Sequence, residues 1–210
     1  MSSTKIIWIS ILAIYAAFFS WYTSLGGPLT NEEIEHYMSL VESSSPPPAP
    51  ERLAQMRKFM EEDTGDDFVM VNVIHIYDEP LQIEGVEPGE SSADVLDKYM
   101  EYMWPALLKR ACHPVIFGTA ASPAMDLMNA EGMAVWSTGA GMRYRSRRDI
   151  LEISMNPAFA GSHEFKIAAM QKTIAFPIDP WMQAGDPRLL LALILGLIGG
   201  LISWWLAARE

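Results

Sequence analysis

Four histidines (His36, His75, His113 and His163), one cysteine and a cluster of arginines are the side chains with the most chemistry to offer. Histidine passes protons near neutrality and ligates metals, but these four are isolated in sequence and can converge only through folding. His163-Glu164 lacks the second histidine that a metalloprotease helix places one turn away. No phosphate loop, dinucleotide fingerprint or Cys-x-x-Cys is present. A lone cysteine, Cys112, excludes an intrachain disulfide and a cysteine-based zinc site. Near the end of an amphipathic helix it is most simply a small buried side chain. No metal site is predicted from these residues.

Arg143, Arg145, Arg147 and Arg148 cluster at a strand–helix junction. Arginines so placed pair with neighbouring carboxylates more often than they bind an anion. The formal net charge of −11 and pI of 4.8 argue against a nucleic-acid partner, which requires clustered positive charge. The chain holds 14 methionines, and Met100 with Met103 and Met125 with Met128 stand three residues apart. Thioethers at that spacing suit Cu(I). Filling gaps in a core is the commoner use of methionine, and copper is the minor alternative.

These residues must be positioned by elements that the sequence patterning outlines. Two apolar runs bracket the chain, IIWISILAIYAAFFSWYTSL from Ile6 to Leu25 and LLLALILGLIGGLISWWLAA from Leu189 to Ala208. Each is about the ~20 residues that cross a bilayer, and Trp21, Tyr22, Trp204 and Trp205 suit the interfacial belts. A cleaved signal peptide is the alternative for the first run. Its minimal charged start, long apolar stretch and lack of a small-x-small site favour an uncleaved anchor. In the second run Gly196 and Gly200 form a GxxxG pair extended by Ala192, and Gly199 with Ser203 forms a parallel small pair. Ala13 and Ala17 lie in a similar stripe of the first run. Small residues at this spacing let helix backbones approach closely in lipid, although glycine and alanine are also simply common there. Lys5 and Arg209 lie at the terminal ends, against Arg188 alone on the inner flanks. By the positive-inside rule this predicts cytoplasmic termini and a central domain on the periplasmic face of a bacterial inner membrane.

Between the spans the reading is a tether and one domain. Thr30 to Glu33 makes a capping box for a helix over 31–42 at the membrane surface, SSSPPPAP forms a stiff extended linker, and a helix over 51–62 is read as an addition that packs on the core. From residue 67 the order is strand (67–77), helix (93–112, kinked at Pro105), strand (113–119), strand (133–144), helix from the cap Ser146, helix (164–171) and strand (173–178). Gly139 and Gly141 are expected to loosen the third strand or allow a bulge. The predicted divisions are a first span over 1–26, a tether over 27–66, an α+β domain over 67–180 and a second span over 181–210. The β-α-β-β-α-β order is the ferredoxin-like one.

Residues 67–180 resemble a group of small bacterial domains of unknown function with the ferredoxin-like, dimeric α+β-barrel fold. The likeness rests on Arg143-Tyr144-Arg145-Ser146-Arg147 at a strand–helix junction, the Asn156-Pro157 break, His163 before the last helix, and the opening strand Val69-Met70-Val71-Asn72-Val73-Ile74-His75-Ile76. The resemblance implies a homodimer paired through the open sheet faces, and it makes His163 the first candidate for a general base or ligand holder. A helix-terminal histidine more commonly bonds a backbone carbonyl. Asn72 also matches a position of that group, with a structural amide as its default. Trp136 and Arg143 are candidates to line a pocket between sheet and helices, Arg143 stands with His163 as a candidate catalytic residue, and His75, Trp136 and Asn72 are the candidate ligand-binding residues. Together these features predict a non-catalytic accessory subunit of a larger membrane complex, packed through both spans against other integral membrane subunits. The alternative is a small membrane-bound enzyme or ligand-binding protein. Monooxygenases and haem proteins of the same superfamily suggest a quinol-like substrate or a haem for it, by fold analogy.

Overall fold

The structure is a computed structural model that describes residues 2–44, 46–157, 161–183 and 185–209. Its elements are α1 (Ser3–Tyr22), α2 (Asn31–Glu42), α3 (Pro50–Glu61), β1 (Phe68–Ile76), α4 (Ser92–Lys109), β2 (His113–Thr119), β3 (Thr138–Tyr144), α5 (Arg147–Ser154), α6 (His163–Ala169), β4 (Met170–Ile178) and α7 (Pro187–Ala207). They form two units, one spanning Gly26–Asp179 and one made of Met1–Leu25 with Pro180–Glu210.

The larger unit is an α+β domain built on a four-stranded antiparallel sheet of order β2-β3-β1-β4, the ferredoxin-like arrangement. Strand β1 is apolar on both faces because each face has a different job. Phe68 and Met70 stand opposite Tyr144 and Met142 and face the helices, where Met103, Ala106, Leu107, Cys112 and Ile153 complete the core. The Phe68 and Tyr144 rings stack at 5.4 Å. On the other face Val69, Val71 and Val73 stand opposite Ile178, Phe176 and Ile174. That face is open within the unit: Phe176 is 46% exposed and Ile116 70%.

Local rules account for most element boundaries. Ser91 and Asp94 form a capping box at α4, Thr30 and Glu33 another at α2, and Ser146 accepts from the Asp149 amide to open α5. Helix α4 runs unbroken through Pro105 and closes on Ala111, whose φ of 55° puts it in the left-handed region. There the Ala111 and Cys112 amides bond back to Leu108 and Leu107 in a Schellman arrangement.

Two expectations change. Strand β3 starts at Thr138 rather than Met133, because residues 133–137 spend their carbonyls outside the ladder: Met133 on the Trp136 indole, Ala134 on the Ala124 amide and Ser137 on the Ala120 amide. The bulge lies in β2, between Pro114 and Ile116, not at the β3 glycines. Gly141 has another role: a Cβ there would sit 2.9 Å from Ile116 Cγ2, so its bareness lets the β2 side chains lie across β3.

Within residues 27–66, α3 packs onto this unit as expected, and α2, expected over the membrane surface, packs there with it. Ile34, Tyr37 and Met38 of α2 cluster with Met60 of α3 and with Leu151 of α5. The Asp63 carboxylate accepts from the amides of Leu29 and Gly65. Gly65 (φ +83°) passes so close to Gly27 that a Cβ would lie 2.5 Å from its carbonyl carbon. The helical stripes were legible, but a stripe does not announce the surface that covers it.

The smaller unit is the pair α1 and α7, each long and apolar enough to cross a membrane. Gly199 is the contact point: a Cβ there would meet Ile11 Cδ1 at 2.6 Å and the Trp8 ring at 3.0 Å. Trp8 Nε1 donates to Ser203 Oγ at 3.2 Å. The half-buried or buried stripe of α1 is Thr4, Ile7, Ile11, Tyr15, Phe18 and Tyr22, whereas Ala13 and Ala17 are exposed. Nothing lies within 4 Å of a Cβ at Gly196 or Gly200, and Ala192 is half-buried.

Candidate functional site

His75 and Trp136 lie toward the same end of the sheet, linked through Ser137 and Lys172. His75 Nδ1 lies 2.9 Å from Ser137 Oγ, a pair in which the tautomer decides the donor. Ser137 Oγ also accepts from the Ile76 amide at 3.2 Å. Across the strand pair His75 stands opposite Lys172. The Lys172 ammonium donates to the Gly132 carbonyl and sits 4.7 Å above the Trp136 ring. Trp136 Nε1 is held by the Met133 carbonyl at 2.7 Å. The result is a polar end to an apolar sheet face, with an imidazole–hydroxyl pair beside a cation on an aromatic plate. It can orient a polar group by hydrogen bonds. Ser137 and Lys172 escaped sequence reasoning because only strand register brings them to His75.

Arg143 does not join them. It stands opposite Val69 in the register, six residues from His75 along β1, or roughly 20 Å at strand rise. Its side chain is 0% exposed, donates to Asp67 Oδ2 at 2.7 Å and to the Ala111 carbonyl at 2.9 Å, and is an internal anchor rather than a pocket wall. Its neighbours follow suit. Arg145 pairs with Asp149, Arg148 with Glu33, and Arg147 reaches the Phe59 carbonyl and Asp63. The Arg148 guanidinium and the Thr30 amide hold Glu33 far below the usual carboxylate range, at about 2. Asn72 Nδ2 donates to the Met70 carbonyl at 2.9 Å on its own strand, a structural use.

His163 opens α6 and makes no hydrogen bond among the described residues. Its ring instead meets Tyr99 edge-on at 6.5 Å. Burial, then the charge of Lys166, pushes its pKa down. Lys166 itself lies 5.8 Å over the same Tyr99 ring, and burial, then Arg52, lowers its pKa. His163 and His75 therefore occupy separate places, one against α4 and one at the sheet end.

Among the described residues no three His, Cys, Asp or Glu side chains gather as metal ligands. Met103 is in the core with Met100 against it, while Met125 and Met128 are exposed. Cys112 is fully buried, and desolvation pushes its thiol up to about 11, away from thiolate chemistry.

The fold and these sites define a ferredoxin-like α+β domain carried between two apolar terminal helices. No family model matches the chain, and no curated protein matches it significantly. It is similar to the RPA0582 protein of Rhodopseudomonas palustris, of unknown function, in two crystal structures. The methylated form is 18% identical with a TM-score of 0.52, over 66% of this chain and 96% of that one. The other is 18% identical with a TM-score of 0.50, over 64% and 95%. A dimeric ferredoxin-like protein of unknown function from Jannaschia sp. CCS1 is 10% identical with a TM-score of 0.34, over 54% and 99%. At these identities the likeness is one of fold alone.

Proposed function

We propose that this protein is a two-span membrane protein serving as a non-catalytic accessory subunit of a larger membrane assembly. The observation that carries the reading is how the α1–α7 pair ends. At one end Tyr22 lies under Arg188 at 5.5 Å, beside Trp21. At the other Arg209 covers the Trp205 ring at 3.5 Å, next to Trp204. Aromatic and cationic side chains at both ends of a roughly 25 Å apolar stretch match the two interfaces of a bilayer. Gly196 and Gly200 keep a small-residue surface that α1 does not use, and a host subunit's helix is its natural occupant. Lys5 and Arg209 favour cytoplasmic termini and a periplasmic domain. The open sheet face, uncharged through Val71, Val73, Ile174 and Phe176, supports pairing with a second copy of the domain.

The test is extraction in a mild maltoside after an alkaline carbonate wash. The protein is expected to stay with the washed membranes and then to migrate in native gels with stoichiometric integral membrane subunits. Release by carbonate would overturn the membrane assignment, and migration as an isolated protein in every detergent would overturn the accessory role.

One observation favours a second reading, a ligand-binding domain: the His75–Ser137 pair beside Lys172. Replacing His75 with Ala should then abolish retention of a small molecule that copurifies with the domain. Unchanged retention would remove the sheet end from consideration.

A further inference from the structure

We infer that Trp21, Leu25, Trp181 and Met182 form an apolar collar that lies in the lipid headgroup region and sets the depth of the helix pair. The inference rests on the two-span reading above and extends it beyond the helix ends. Trp181 is 103% exposed and Met182 83% in the segment that leads into α7. Leu25 is 71% exposed just past the end of α1, and Trp21 is exposed in its last turn. The contact of Tyr22 with Arg188 puts the end of α1 beside the start of α7, so the four side chains belong to one end of the pair.

The display is built by the backbone rather than by packing. Pro180 and Pro187 bound the segment before α7. The Asp186 amide donates to the Gln183 carbonyl at 3.2 Å, and the Asp186 carboxylate holds the Arg188 guanidinium at 2.7 Å. An indole and a thioether held out in this way are stabilised by leaving water, in proportion to the apolar area removed. Charge points in the same direction. No charged residue stands between Trp21 and Leu25 or between Pro180 and Gln183. The first charges on the α7 side, Asp186 and Arg188, neutralise each other.

Continuity with the helices selects the occupant. The outer surfaces of α1 and α7 are themselves apolar and exposed next to the collar, through Phe19, Leu189 and Leu190. Whatever surrounds those surfaces therefore reaches the collar too, and for a spanning pair that is lipid. The interfacial layer on each side of the hydrocarbon core is about 5–7 Å deep, enough for one layer of side chains beyond the helix ends. Indoles favour this layer because the ring enters the apolar side while the N–H stays with water. Trp181 offers both parts, with its N–H uncommitted among the described residues. The collar thus holds one end of the pair at the headgroups, where sliding in either direction would move the indole into water or into hydrocarbon.

Spin-label collision measurements on the full-length protein, reconstituted in palmitoyl-oleoyl phosphatidylcholine vesicles, are the test. The label is carried on Met182→Cys, since the native Cys112 is fully buried. Leu197→Cys, exposed at the middle of α7, gives the bilayer-core reference, and Met125→Cys, exposed in the larger unit, the aqueous one. Molecular oxygen concentrates in lipid and a nickel chelate in water. The oxygen-to-nickel collision ratio at Met182→Cys is expected to fall between the two references, and adding Trp181→Ser should shift it toward the aqueous value. An aqueous ratio at Met182→Cys with a lipid ratio at Leu197→Cys would overturn the collar and leave the spans intact. Aqueous ratios at both would overturn the two-span reading and the collar with it. An immobilised label shielded from both collision partners would show protein covering the segment and overturn the lipid assignment. A ratio unmoved by Trp181→Ser would overturn the anchoring role of that indole.

Discussion

Arg143 at the end of β3 donates to Asp67 just before β1 across 2.7 Å, with its own side chain wholly buried. A second bond from the same guanidinium holds the Ala111 carbonyl at the turn after α4. One side chain thus ties together three segments far apart in sequence. This is also why Arg143, a pocket candidate by sequence, is unavailable to a ligand.

Removing it should be expensive. Arg143→Met would remove the guanidinium from both Asp67 and the Ala111 carbonyl, and breaking a buried pair costs about 3–5 kcal/mol. Urea unfolding of the full-length protein in neutral detergent should show a loss of that order. A loss under about 1 kcal/mol would mean that the pair behaves as a surface ion pair.

Acid should loosen the packing of α2 through Glu33. Its folded pKa, about 2, lies below the ordinary 4.5, mainly through the Arg148 hydrogen bond. A depressed carboxylate stabilises the fold fully above its unfolded pKa, and that contribution drains away as pH falls from 4.5 toward about 2. The urea midpoint should decline through that window, and Arg148→Met should flatten the decline. An identical pH profile in the variant would show that the contact does not contribute.

Self-association should depend on the open sheet face. Phe176 is already 46% exposed, so Phe176→Asp should fold normally. It should convert a dimer of the detergent-solubilised protein into a monomer in sedimentation analysis. A dimer that survives the substitution would place the contact elsewhere.

The two helices of the smaller unit should respond to glycine substitution by position. A side chain at Gly199 collides with Ile11 and Trp8, so Gly199→Val should separate α1 from α7 at an overpacking cost of about 1–3 kcal/mol. Gly200→Val meets nothing within 4 Å. SDS titration followed by circular dichroism should show an earlier transition for the first and no change for the second. Loss of copurifying subunits on Gly200→Val would mark that face as the one a host helix covers.

What the sequence determined by itself is the local part. The apolar lengths of α1 and α7, the caps at Thr30 and Ser146, and the two-faced pattern of β1 depend on residues a few positions apart, so their spacing carries the information. The strand order followed from the alternation of those elements. Tertiary structure decided the partners. Arg148 meets Glu33 over 115 residues of chain, Arg143 meets Asp67 over 76, and Ser137 reaches His75 over 62. Such pairings depend on sheet register and helix docking, and no local spacing encodes them. The same holds for α2, whose stripe was plain while its resting place on Leu151 was not. It holds again for Lys166 and Tyr99, brought together only by the packing of α6 on α4. A local pattern states what a side chain needs, and the rest of the folded chain decides what supplies it.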